Sequence, residues 1–347
     1  MKRFTAIAVG VAAALSLSTG MANAANPTAD ATVSVEGQGS LYKEALKPVK
    51  LSLTTNITPP AGATTLLPLL ISDTLLPPEV TFVPDSKMPV CTAVNEGNAD
   101  FPPETARNLC PDSILGDGTS KLYLAQQVAA PIIDPVQTIF NGGGGKIAIQ
   151  AYSASTNHGI FLTGEIKNGH LTLSVPRLTA DSAVYFSQLN IPGDIGQDSG
   201  FVQATCKTGT YTSSAEIKLG KRDAAGTISN QLTLESAPKD QACTGLAGKA
   251  KFSLAVKAPA KVKSGKKGAF KVTVTNKGTA SSAKGKVTAS GAGKGSASLP
   301  AIKPGAKKTV TVKAKVTGKK GKKVTVKFKA TGGSGVSASG KAKVKVG

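Results

Sequence analysis

Apolar and polar positions alternate with a period of two through the last third of the chain. Phe252, Leu254 and Val256 form one apolar run, and Phe270, Val272 and Val274 form the next. Val310, Val312, Ala314 and Val316 follow, then Val324, Val326, Phe328 and Ala330, then Ala342, Val344 and Val346. Successive side chains of a strand point to opposite faces, so each run puts its apolar residues on one side of a sheet. The Lys and Thr between them take the other side. Weaker runs at Lys286–Ala289 and Gly335–Ala338 bring the expected count to about seven strands, the pattern of an immunoglobulin-like β-sandwich. Gly265, Gly278, Gly305, Gly318 and Gly321 supply the turns.

Residues 25–247 read differently. Short apolar or alternating runs lie at Lys50–Thr54, Glu79–Val83, Lys121–Leu124, Lys146–Tyr152, Gly159–Thr163, His170–Val175, Phe201–Cys206 and Gln231–Glu235. Pro59-Pro60, Pro77-Pro78, Gly142–Gly145, Asn168-Gly169 and Pro192-Gly193 punctuate them. Many short strands between turn signals predict an all-β sandwich or jelly-roll-like domain. Asn168-Gly169 is the best two-residue hairpin turn. Asn141-Gly-Gly-Gly-Gly-Lys146 lacks the Ser or Thr that a phosphate-cradling loop carries after its lysine. Ile147-Ala-Ile-Gln150 continues as a strand, so a hairpin loop is expected there.

Charge divides the chain more sharply than hydropathy does. The whole sequence holds 42 basic and 20 acidic residues, and residues 249–347 hold 26 lysines with no Arg, Asp or Glu. Residues 1–248 therefore carry 42 − 26 = 16 basic against 20 acidic groups, a net −4 joined to +26. Three segments are expected: a cleaved signal at 1–24, a β-rich disulfide-containing domain at 25–247, and a lysine-rich immunoglobulin-like domain at 248–347. The signal rests on Met1-Lys2-Arg3, the apolar Ala6–Leu17, and small residues at Ala22 and Ala24. No later stretch is long and apolar enough for a transmembrane anchor. Cys91, Cys110, Cys206 and Cys243 are an even set in an exported chain, which favours disulfides. Of three connectivities, the sequence-local Cys91–Cys110 and Cys206–Cys243 is the expected one, and a zinc site would need tighter spacing.

Chemistry is sparse. The two histidines, His158 and His170, lie in turn regions, with Asp181, Asp194 and Asp198 downstream and no nucleophile elbow. Asp112/Asp117 and Asp194/Asp198 read as turn carboxylates. No cofactor, metal site or catalytic residue is expected, and the chain reads as non-enzymatic. The lysines read as a surface for anionic polymers, because lysine is a compact point charge that discriminates little by geometry. The candidate residues are Lys307, Lys308, Lys313, Lys315, Lys319, Lys320, Lys322, Lys323, Lys327, Lys329, Lys341, Lys343 and Lys345. Without arginine or an aromatic platform, sequence-specific nucleic-acid reading is not expected. The expected partners are anionic cell-wall polymers or other anionic surfaces. The alternatives are a secreted carbohydrate- or ligand-binding protein with the C-terminal sandwich as spacer, and a hydrolase with a dispersed site in residues 25–247.

Four segments carry a resemblance: Ala258–Gly265, Phe270–Gly278, Leu299–Gly305 and Lys308–Lys313. Their Val-x-Val-x-Asn-x-Gly strand end and Leu-x-x-Ile-x-x-Gly approach resemble the CARDB type of bacterial surface module, named for cell adhesion, and its immunoglobulin-like relatives. The resemblance implies display or adhesion at a cell surface. In residues 25–247, Val90-Cys91, Leu109–Gly118, Phe140–Gly142 and Phe201–Cys206 resemble uncharacterised exported proteins of actinobacteria, which implies a compartment and disulfides but no activity.

Overall fold

The computed structural model describes residues 26–37, 40–83, 88–93 and 99–347. The expected signal at 1–24 lies outside the described residues. The protein is nearly all β, as expected. Among the described residues, one short α-helix, Pro103–Leu109, starts on a proline and packs Ala106 against Phe140 and the Cys91–Cys110 bridge.

The first unit is built on one continuous sheet. Ile114–Tyr123, Val136–Gly143, Lys146–Ser153, His158–Lys167 and His170–Ser174 run as antiparallel neighbours, continued by Leu69–Leu75, Thr210–Arg222 and Ile228–Glu235. On the other flank, Ala183–Ile191 pairs with Ile114–Tyr123, then Lys47–Thr58, then Thr28–Gly37. The sheet curls far enough that Leu51, Ile149, Leu171 and Leu189, from distant strands, share one core. Its two ends approach each other. The Gln241 amide, on Lys239–Ala242, accepts from the Val35 amide at 2.8 Å and donates to the Val35 carbonyl at 3.1 Å.

The expected hairpin is present. Lys167 pairs with His170 across Asn168 and Gly169, whose φ values of 52° and 82° are those of a type I′ turn. All eight runs read from the sequence fall on strands. Five long strands were not foreseen: Thr28–Gly37, Leu69–Leu75, Val136–Gly143, Ala183–Ile191 and Thr210–Arg222. From Gln137 to Asn141 every residue is buried, and a strand covered on both faces loses its alternation. On Thr210–Arg222 the buried face reads Tyr211, Ser213, Ala215, Ile217 and Leu219, so small residues blur the period. The expected disulfides are both formed, with Cα–Cα distances of 5.5 Å for Cys91–Cys110 and 6.0 Å for Cys206–Cys243.

The C-terminal unit has eight strands, not seven. In spatial order they are Phe252–Lys257, Lys267–Asn276, Lys307–Val316, Gly293–Leu299, Gly285–Gly291, Lys323–Gly332, Ser337–Val346 and Lys261–Val262. Gly293 and Lys294 pair with Val316 and Lys315, while Gly295–Leu299 pairs with Gly285–Ala289 of the preceding strand. That switch folds the sheet back on itself. Phe270, Val272 and Val312 of one half then meet Val326, Phe328 and Val344 of the other, with the Phe270 and Phe328 rings 5.2 Å apart. Gly335–Ala338 is not a strand of its own, since Ser337 opens Ser337–Val346. Gly293–Leu299 escaped notice because its Gly, Ser and Ala residues carry little hydropathy. Its first glycine is required: a Cβ at Gly293 would meet the Val326 methyls at 2.8 and 2.9 Å.

The resemblance motif has a physical role. Asn276 is fully buried at the end of its strand. Its amide nitrogen donates to the Ala280 and Ile302 carbonyls at 2.7 and 2.9 Å, and its oxygen accepts from the Lys251 and Gly278 amides at 3.1 and 3.0 Å. One side chain thus ties together the chain entry, the turn after its own strand, and the approach to the next. A Cβ on Gly278 would sit 2.1 Å from the Lys249 carbonyl, so glycine is needed where the entering strand crosses.

Candidate polyanion-binding surface

Alternation places the lysines and register brings them together. On Lys323–Gly332 the residues Val326, Phe328 and Ala330 are buried, while Lys323, Lys327 and Lys329 between them are exposed. On Ser337–Val346 the same holds for Lys341, Lys343 and Lys345 around Ala342, Val344 and Val346. The two strands pair so that Lys323 lies opposite Lys345 and Lys327 opposite Lys341. Lys261 adds to this face beside Lys345, and Lys286 adds to it opposite Thr331. Directly opposite Cβ atoms stand about 5 Å apart and same-face neighbours along a strand about 7 Å apart. Lys319, Lys320 and Lys322, in the turn leading into Lys323, extend the surface at one end.

The thirteen candidate lysines are all exposed, but they do not form one patch. Lys307, Lys313 and Lys315 lie on the outer face of the opposite half-sheet, and Lys308 is exposed at the start of their strand beside Val274. That second face carries its own opposed pairs, Lys267 with Lys315, Lys257 with Lys271, and Lys294 with Lys315. Lys257, Lys261, Lys267, Lys271, Lys286 and Lys294 were absent from the sequence-based selection. Alternation identifies an outer face, whereas the partner across the strand pair is fixed only by register.

Like charges held directly opposite on a sheet repel, and residues 249–347 contain no Asp or Glu to offset them. Two cationic faces separated by the thickness of a sandwich can neutralise phosphate, sulfate or carboxylate groups on a flexible chain, and their density sets the strength.

The histidines are paired with carboxylates other than those weighed from the sequence. The His170 ring Nδ1 lies 3.0 Å from Asp73, whose second oxygen accepts from the Thr172 hydroxyl at 2.8 Å. His158 Nδ1 lies 3.3 Å from Asp100, which also accepts from the Gly159 amide at 2.7 Å. Of the downstream acids, Asp181 is bound by Arg177, and Asp194 lies 3.7 Å from Lys50. The Arg177 guanidinium holds the Asp181 carboxyl below the ordinary carboxylate value. Asp117 accepts from Asn190 and from the Ile195 amide, both at 3.2 Å, fixing the loop that follows Ile191. Asp73 and Asp100 could not be found by proximity in sequence, because cross-strand pairing and loop packing deliver them.

The CARDB family model matches residues 252–341, nearly the whole eight-stranded unit. The C-terminal module is therefore an immunoglobulin-like one similar to that family. No curated protein matches the chain. Among solved structures, the T6 backbone pilin of serotype M6 Streptococcus pyogenes is similar at 7% identity and a TM-score of 0.28, over 92% of this chain and 52% of that one. A Salmonella alpha-2-macroglobulin variant is similar at 12% identity and a TM-score of 0.23, over 91% of this chain and 16% of that one. The chain thus spans about half the length of the pilin.

Proposed function

We propose that this chain is an exported, non-enzymatic surface protein of structural or adhesive kind. Its lysine-covered C-terminal module, residues 248–347, holds anionic polymers of the cell surface or wall by charge and so retains residues 25–247 there. The observation that carries this reading is the set of lysines opposed across strand pairs in a unit without a single acid. Such a surface is self-repelling until a polyanion or salt neutralises it. The CARDB match fits a surface module, and two disulfides fit an oxidising compartment. Among the described residues no helix is long and apolar enough to cross a membrane; the means of retention proposed here is charge, on the strength of the opposed lysines.

The test is retention of the full chain on immobilised polyphosphate across a salt series, beside a salt wash of the producing cells. Binding should fall linearly on a log–log plot against salt and be gone at about 1 M, where the screening length is near 3 Å. Replacing Lys327, Lys341 and Lys343 by Thr should lower the slope by about three charges, by analogy with nucleic acids. A chain already free at low salt, or a slope unmoved by the triple replacement, would oppose the reading.

A further inference from the structure

The curled sheet of the first unit encloses a cavity of about 130 Å³, lined by eight neighbouring strands from Leu69–Leu75 round to Lys47–Thr58. The interior of an eight-stranded curl is just wide enough for its own side chains to fill or for one small ligand. Here the inward residues are too small to fill it. Ser187 pairs with both Thr55 and Ser120, which sets three small hydroxyl residues side by side on one wall. Ala151 faces the space from the strand paired to Ile160. Ile149, Leu162 and Leu173 complete a lining whose surface is mostly apolar, and among the described residues it holds no Asp, Glu, Lys or Arg. Along one strand the lining takes in Ile149, Ala151 and Ser153, about 13 Å at about 3.3 Å per residue. The space is therefore drawn out along the strands rather than round.

The opening is marked by exposed Leu124, His158 and Thr179. Two turns border it. The Gln127 and Ser182 amides bond back to the Leu124 and Thr179 carbonyls at 2.9 and 3.3 Å. Their central residues Ala125, Gln126, Ala180 and Asp181 have φ values of 50°, 64°, 54° and 51°. That left-handed conformation favours glycine and strains any other residue, and strain of this kind gathers at ligand sites. The two turns pack against each other. Beside them Ile133 and Val136 are exposed, next in sequence to Ile132 and Pro135 of the lining. An apolar approach thus leads to an apolar interior.

We propose that this lumen takes the alkyl tail of an amphiphile, about six carbons deep, with the polar head left outside at the Leu124 and Thr179 turns. An apolar cavity of about 150 Å³ stays dry and admits the six carbons of benzene, so the volume here matches a tail of about that size. A charged head drawn inside would lose its hydration with no ionic group to replace it. The lumen is separate from the lysine faces, and either proposal stands without the other.

The test titrates the full chain with methyl, butyl, hexyl and octyl glucoside, neutral probes that give the lysines no charge to bind, each below its micelle concentration. Calorimetry should show affinity rising about fourfold for each methylene from butyl to hexyl, the transfer free energy of one CH₂. The rise should level off between hexyl and octyl, and methyl glucoside should not bind. Nuclear Overhauser contacts should run from the hexyl chain to the methyls of Ile149, Leu162 and Leu173. Ala151→Phe fills the space and should bring hexyl glucoside down to the level of methyl glucoside. No binding of hexyl glucoside, methyl glucoside bound as tightly as hexyl, or a rise undiminished to octyl would each overturn the proposal. So would a tail mapped elsewhere, or hexyl binding unchanged in Ala151→Phe. The Overhauser map needs no substitution, so it decides even if the variant does not fold.

Discussion

Burial pushes the Tyr211 phenol from its ordinary value of 10.0 up to about 12, with the Glu79 carboxylate adding in the same direction. The ring is 2% exposed, and its hydroxyl donates to the Thr205 carbonyl at 2.8 Å, next to the Cys206–Cys243 bridge. A folded-state value above the unfolded one means that the folded chain holds this proton more tightly. Its contribution to stability is therefore complete below pH 10 and lost as pH rises through about 12. Tyr211→Phe leaves the carbonyl without its donor and should cost about 1–2 kcal/mol in urea unfolding at neutral pH. The same variant should lose the latest-titrating tyrosinate component at 295 nm. If that component persists, the assignment to Tyr211 is wrong. Asn276 makes the complementary point about specificity. It satisfies two donors and two acceptors at once, a demand that no isosteric Asp or Leu meets.

Strand pairs are where repulsion among the lysines becomes measurable. Lys341→Glu turns the opposed Lys327–Lys341 pair into one of opposite sign. The C-terminal unit should then unfold a few degrees higher at low salt, and the gain should vanish at about 1 M salt. Hydrogen exchange at the Val326 and Phe328 amides in the full chain reports this unit alone, and unchanged protection at low salt would count against the electrostatic account. The strands concerned were legible in the sequence, because Val, Phe and Lys alternate without interruption and the core needs only a period of two. So were the Asn168-Gly169 hairpin and both disulfides. Gly293–Leu299, which turns the sandwich over, was not, since apart from Leu299 its inward positions are Gly and Ala and its importance lies in a change of partner. The residues round the lumen were equally silent. Ser120, Ala151 and Ser187 come to share one space only when pairing sets their strands in order. The lysine-bearing module was therefore readable in outline, while the opposed pairs and the cavity were not.

At the scale of the whole molecule the two units meet through very little chain. Gly245 and Leu246 pair with Leu41 and Tyr42 of the first unit, and by Lys249 the backbone is bonded to Thr279 of the second. Ala247 and Gly248 alone lie between, and two residues span at most about 7 Å. A Cβ at Gly248 would meet the Thr279 carbonyl at 2.3 Å, so the crossing admits only glycine. Glu44 also links the units, accepting from the Ser281 amide at 2.7 Å. Hydrogen bonding to Ser281 holds the Glu44 carboxyl below its ordinary 4.5, against a smaller opposing effect of burial. A depressed folded-state value stabilises above the ordinary value and ceases to as pH falls through it. The docked arrangement should therefore hold at neutral pH and loosen as the medium is acidified through the lowered Glu44 value. Backbone relaxation would read this as one rotational correlation time for both units at pH 7, and two distinct times at pH 3. Glu44→Ala should show the two times already at pH 7, whereas two times in the unaltered chain at pH 7 would mean that the short crossing does not fix the units. For the proposed retention the consequence is mechanical. A module gripping a polymer transmits its position to the first unit only while this junction is stiff, so acidification should free the orientation of residues 25–247 without releasing the lysine faces, whose charge does not change in that range.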